Sequence, residues 1–242
     1  MVINRNSVWR IYVIGVSYIM NISLFYRKIT ELNGELLMRD ISLSELKKRT
    51  EILIVDDEEF SYFESLQRHE YNITQKEDLT DLKDAEAYKI VLCDIRGVGN
   101  FLRSEFGGAY LIKQLKEKYP AKIIIAYTAN EYSARFEQFL SYADDVVPKG
   151  AYALEDWTSL LDRLLKELAD PVKIWDRTRR TLIDAGVPTL DVAKYESDYV
   201  TAIKKGKFES FVKIYEKKAS TGADIMVSLF KALPGILQLF TT

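Results

Sequence analysis

The 242 residues are 48% hydrophobic and 29% charged, with 11 Gly and 5 Pro, a composition that excludes disorder, collagen-like repeats and coiled-coil bias. The formal net charge of −2 is unevenly spread: basic and acidic residues number 8 and 4 over 1–50, 13 and 22 over 51–165, and 13 and 10 over 166–242. An acidic middle segment is a poor nucleic-acid surface and a fitting cation site. The single cysteine, Cys93, excludes an intramolecular disulfide and fits a reducing compartment.

Residues 8–26 form the most apolar run near the start, long enough for a membrane span, but Arg10 and Asn21 lie inside it. Arg10, Ser17, Asn21 and Lys28 fall on one narrow stripe at 100° per residue, so the segment reads either as a tilted anchor with a polar seam or as a helix buried against the rest of the chain. A cleavable leader is disfavoured, because Tyr26-Arg27-Lys28 follows where small residues would be needed.

From residue 51 two periodicities alternate. The apolar runs 51–55, 89–93, 122–127 and 145–148 read as strands, ending in Asp56-Asp57, Asp94, Thr128 and Lys149. Between them lie helical patterns, such as 110–116 and the run from Trp157 to Leu168. Continuous apolar strands separated by amphipathic helices predict a doubly wound parallel α/β sheet, and right-handed crossovers bring every strand's C-terminal end to one edge. Carboxylates gathered there repel one another unless a hard cation neutralises them, which suits Mg²⁺. Lysine and threonine add a positive charge and a hydroxyl donor suited to phosphoryl oxygens.

In that pattern residues 51–165 resemble the receiver domain of the two-component response-regulator family. The acid pair matches Asp56 and Asp57, the phospho-accepting aspartate Asp94, the Thr/Ser Thr128 with Ala129 after it, and the lysine Lys149, with 71–74 as a weak second strand. The resemblance implies a five-stranded receiver (flavodoxin-like) fold in a bacterial, cytoplasmic signalling protein. Asp57, Asp94 and the Arg96 backbone carbonyl would ligate Mg²⁺, with Asp56 acting through a bound water, and the donor would be a histidine kinase or phosphotransfer protein. It implies no enzyme beyond self-phosphorylation and dephosphorylation. An unphosphorylated receiver-like scaffold, membrane-tethered or free, is the alternative.

Three departures stand out. Gly107-Gly108 lies 13 and 14 residues after Asp94, against about seven and eight in the family, so the loop 97–106 is lengthened. Val98 stands at the family's usual proline, and Val146 where an aromatic switch residue is usual. Gly97-Val98-Gly99 reads as loop flexibility, His69 as exposed and Cys93 as core.

Boundaries are expected at 1–48, 49–168 and 169–242, the last an all-helical region meeting an effector protein. There 173–185 is helical with Gly186 as a stop. The segment 182–200 invites comparison with a helix-turn-helix, yet 194–199 is acidic where phosphates must be met, so DNA binding is disfavoured. Phe208, Phe211, Val212 and Tyr215 recur as one helix face, a core or homodimer seam. Pro234-Gly235 predicts a break, giving two short terminal helices.

Overall fold

The computed structural model describes residues 26–32, 42–128 and 134–238. Apart from Tyr26, the segment 8–26 and the anchor reading attached to it lie outside the described residues. No helix among the described residues is long and apolar enough to cross a membrane.

The apolar runs become strands β1 (Ile52–Val55), β2 (Ile73–Lys76), β3 (Ile90–Asp94), β4 (Ile123–Thr128) and β5 (Asp145–Pro148). All pair in parallel in the order β2-β1-β3-β4-β5, the flavodoxin-like doubly wound arrangement. Every residue of β1, β3 and β4 is buried, as strands covered on both faces require. The second strand begins two residues later than the 71–74 reading. Tyr71 is buried ahead of it, where its hydroxyl donates to the Thr158 carbonyl at 3.0 Å and to the Asp162 carboxylate.

Helices α1 (Leu43–Arg49), α2 (Phe63–Arg68), α3 (Gly107–Lys118), α4 (Ala134–Leu140) and α5 (Leu154–Ala169) flank this sheet. Strand alternation divides the core in two. Ile52, Ile54, Ile90, Leu92, Ile125 and Tyr127 share one cluster with the α5 stripe Trp157, Leu160, Leu161, Leu164 and Leu168. Leu53, Val55, Val91, Cys93, Ile124 and Ala126 share the other with Leu111, Ile112 and Leu115 of α3. The Cys93 thiol is thus core, and His69 is exposed.

Four more helices follow: α6 (Pro171–Asp184), α7 (Thr189–Lys205), α8 (Phe208–Tyr215) and α9 (Thr221–Gln238). Asp170 caps α6 by accepting from the Val172 N–H at 2.8 Å, with Pro171 in the first turn where its missing donor costs nothing. Trp175 stacks on Tyr199 and Phe211 on Phe230, each at 5.3 Å between ring centroids. These residues extend the core on the α5 side of the sheet, so the Phe208–Tyr215 stripe is core packing. Residues 26–32 lie across α7, the Arg27 N–H donating to Ser197 Oγ at 3.1 Å and the Ile29 N–H to Glu196 Oε1 at 2.8 Å. Part of the acidic 194–199 segment is thereby engaged within the chain.

The expected break at Pro234-Gly235 is absent, and α9 runs on to Gln238 as one helix. A proline inside a helix forfeits one backbone hydrogen bond. Burial of Met226, Leu229, Phe230 and Leu233 along the same helix outweighs that loss, at roughly 2 kcal/mol per large side chain.

Candidate functional site

In an open parallel sheet the crevice forms where the strand order reverses, outside the carboxyl ends of the strands. Here that point lies between β1 and β3. Asp56 and Asp57 follow β1 and Asp94 ends β3. One carboxylate oxygen from each lies within 4.8 Å of the others. Lys149, following β5, reaches in to place its Nζ 2.5 Å from Asp94 Oδ2 and 3.1 Å from Asp56 Oδ2. Thr128 is buried at the end of β4, and its carbonyl accepts from the Lys149 N–H at 2.5 Å. The five side chains named from strand ends therefore stand at one edge, where Lys149 ties the end of β5 to those of β3 and β1.

Each carboxylate is held differently. Asp94 is 5% exposed. Its Oδ1 accepts from the Ile95 N–H at 2.6 Å and the Arg96 N–H at 3.3 Å, which leaves Oδ2 facing Lys149. Asp56 is 2% exposed and closely bonded. Its Oδ1 accepts from the Glu58 N–H at 3.0 Å and Lys149 at 3.2 Å, and its Oδ2 accepts from the Tyr127 hydroxyl at 2.5 Å. Asp57 is the exposed member. Burial pushes the Asp94 carboxyl above its ordinary range, and the pull of Lys149 and the Arg96 N–H does not cancel it. Burial draws the Lys149 ammonium down, but its bonds to Asp94 and Asp56 outweigh that and hold it above the ordinary lysine range.

Three clustered carboxylates, two of them paired with one ammonium, leave negative charge in excess. An all-oxygen donor set of that charge fits a hard divalent cation such as Mg²⁺. Both oxygens of Asp56 and of Asp94 accept from donors within the chain, while Asp57 is the exposed carboxylate of the three.

The loop 97–106 is pinned at Gly99 and Asn100 rather than flexible. Asp78, from the β2–β3 connection, accepts from the Gly99 N–H at 2.6 Å, the Asn100 N–H at 3.0 Å and Asn100 Nδ2 at 2.9 Å. Val98 is fully buried. Gly97 lies against Asp57, with φ +70 and no room for a side chain. Val146 is half-buried against Ala126 and its neighbours on the α3 face of the sheet.

Tyr127 escaped the sequence reading, because its position inside an apolar strand gives no sign that its hydroxyl meets an acid 71 residues away. The one available signal is a tyrosine in a run otherwise of Ile and Ala, since buried phenols need a hydrogen-bond partner.

No family model matches the chain, and neither does any curated protein. Among solved structures it is similar to a CheY-like response regulator receiver domain protein from Methanospirillum hungatei, with 20% identity over 49% of this chain and 94% of that one and a TM-score of 0.39. It is also similar to the BeF3-activated receiver domain of DrrB, a Thermotoga maritima protein (23% identity, 48% and 97% covered, TM-score 0.40). A third is the response regulator TrrA of Thermotoga maritima in complex with Mg²⁺ and BeF (22% identity, 48% and 98% covered, TM-score 0.37). Each covers about half of this chain, and the likeness is one of fold.

Proposed function

We propose that this chain is a two-component-type receiver that accepts a phosphoryl group on Asp94 from a phosphohistidine of a histidine kinase or phosphotransfer protein. The observation that carries this reading is Lys149 Nζ at 2.5 Å from Asp94 Oδ2, inside a cluster of three carboxylates at the carboxyl edge of the sheet. A lone ion pair would be a structural feature. Two further acids beside it, with charge to spare, call for a cation and a polyanionic substrate.

Asp94 Oδ2 attacks phosphorus while the phosphorus–nitrogen bond breaks, and the imidazole leaves with the electron pair, giving an acyl phosphate. Asp57, Asp94 and the Arg96 carbonyl would hold Mg²⁺, which when bound neutralises charge on the phosphoryl oxygens. Lys149 moves its contact from the free carboxylate to the transferred group, and Thr128 donates its hydroxyl to a phosphoryl oxygen. Asp56 would order water beside a bound cation, and its contact with Lys149 keeps the ammonium in reach.

The reading extends to output through protein contacts of the helical region 169–242. Val146 has no ring to rotate, so the familiar threonine–aromatic readout is replaced by another. Incubation with Mg²⁺ and acetyl phosphate followed by intact mass should add one phosphoryl group to the wild type and none to Asp94→Asn. A wild type that gains no mass under those conditions overturns the proposal and favours the constitutive scaffold.

A further inference from the structure

Phosphoryl transfer assigns no task to a buried hydroxyl that touches the acid cluster, that of Tyr127. Tyr127 immediately precedes Thr128, so strand alternation sends its ring to the opposite face of the sheet. There it packs edge-on against Phe60 at 5.7 Å and Trp157 at 6.1 Å, and only 1% of the residue is exposed. A hydroxyl so placed must find an acceptor within the protein. It finds Asp56 Oδ2 at 2.5 Å. Burial, reinforced by that carboxylate, holds the phenol's pKa well above its ordinary value, so the group is a standing donor.

The contact does not end at Asp56. Both Asp56 oxygens also face Lys149, which continues to Asp94, and the Lys149 ammonium lies 5.2 Å from the centre of the Tyr127 ring. Hydroxyl, carboxylate, ammonium and carboxylate form one chain: Tyr127, Asp56, Lys149, Asp94. Three of its four members are nearly excluded from water, where hydrogen bonds hold geometry most firmly. Of the donors to Asp56, the Glu58 N–H is set by the backbone and Lys149 is shared with Asp94. The tyrosine is a side-chain donor to Asp56 that does not bridge to Asp94 as Lys149 does.

We propose that Tyr127 is a positioning residue of the acid site, its hydroxyl fixing the orientation of Asp56 and thereby the affinity of the site for Mg²⁺. The inference rests on the reading of the three carboxylates as a Mg²⁺ site. Mg²⁺ tolerates little departure from its preferred geometry and keeps several waters. A carboxylate that orders those waters works only if its own orientation is fixed from behind. Outer-shell partners of this kind typically govern metal affinity by about 10- to 100-fold. Loss of the phenol oxygen lets Asp56 turn toward Lys149, which drags the ammonium off Asp94 and loosens the cation's water shell together.

The test is calorimetric titration of the full chain with Mg²⁺ in four forms: wild type, Tyr127→Phe, Asp56→Asn and the double variant. Phenylalanine keeps the ring contacts with Phe60 and Trp157. The expected result is about tenfold weaker binding in Tyr127→Phe, a comparable loss in Asp56→Asn, and no further loss in the double variant. Wild-type affinity in Tyr127→Phe overturns the proposal, as does an equal loss whether or not Asp56 is present. Asp56→Asn needs no change at the tyrosine, and undiminished affinity there also overturns it. A wild type that takes up no Mg²⁺ fails the proposed function itself, a pattern distinct from four forms that all bind alike.

Discussion

Gly108 stands so close to the backbone of Asp94 that a Cβ on the glycine would lie 1.9 Å from the Asp94 carbonyl oxygen and 2.7 Å from Val98 Cγ2. The first turn of α3 is thus pressed onto the end of β3, and the obstacle is backbone that cannot swing aside. Gly108→Ala should destabilise the fold by about 3 kcal/mol, as an overpacked core does. Gly150→Ala, with nothing within 4 Å of the added carbon at φ +80, should cost about 1 kcal/mol from backbone conformation alone. Urea unfolding of both variants reads the difference. Equal losses would mean that α3 can shift away from Asp94.

Gly97 makes the corresponding approach to Asp57. A Cβ there would lie 2.1 Å from Asp57 Oδ2, at a backbone φ of +70. Asp57 is an exposed, rotatable side chain, so the clash is relieved by moving the carboxylate rather than by unfolding. Gly97→Ala should therefore cost about 1–2 kcal/mol of stability while weakening Mg²⁺ binding several-fold or more. Paired melting and Mg²⁺ titration separate the two effects. Unchanged affinity would show that Asp57 is not a direct ligand.

At the opposite edge of the sheet, Lys116 on α3 donates to Asp144 at 2.7 Å and to the Lys122 carbonyl at 2.8 Å, and Asp144 also accepts from the Ile124 N–H at 2.8 Å. Lys116 is 5% exposed, and burial draws its pKa down against the pull of Asp144. Replacing it with methionine leaves the Asp144 carboxylate without its cation. Lys116→Met should lose about 3–5 kcal/mol, the cost typical of a broken buried pair. Lys116→Met/Asp144→Asn should recover a large part of that, because an amide keeps no charge to strand. A double variant no more stable than the single one would assign the loss to packing.

What the sequence made legible follows from how each feature is encoded. Asp56, Asp57, Asp94, Thr128 and Lys149 could be read because each ends an apolar run, and a parallel doubly wound sheet brings such ends together by topology alone. Tyr127 could not, since its hydroxyl's partner depends on which face of β4 meets Asp56 across the sheet. The loop 97–106 looked slack because its anchor, Asp78, sits in a separate polar stretch with no local pattern linking the two. Pro234 misled in the other direction: its local rule is sound, but tertiary burial of Phe230 and Leu233 overrides one lost hydrogen bond. Contacts encoded by periodicity were visible, and those encoded by a single distant partner were not.

The same lower edge carries a lysine whose protonation should register in the stability of the fold. Lys122 is 6% exposed, and its ammonium donates to the Glu86 carbonyl at 2.8 Å and to the Tyr88 carbonyl. Burial, with the neighbouring Lys89 charge, lowers its pKa to about 7. An unfolded lysine titrates near 10.4, so between about pH 7 and 10 the unfolded chain holds a proton that the folded chain has released. Stability then rises with pH across that window, by at most about 1.4 kcal/mol per unit from this residue. Below pH 7 both states are charged and the folded state carries the full desolvation cost. Lys122→Met removes the term, so the wild type should gain on this variant in urea melts as pH is raised from 7 to 9. A constant gap between the two across that range would show that the Glu86 and Tyr88 carbonyls keep the amine charged in the fold.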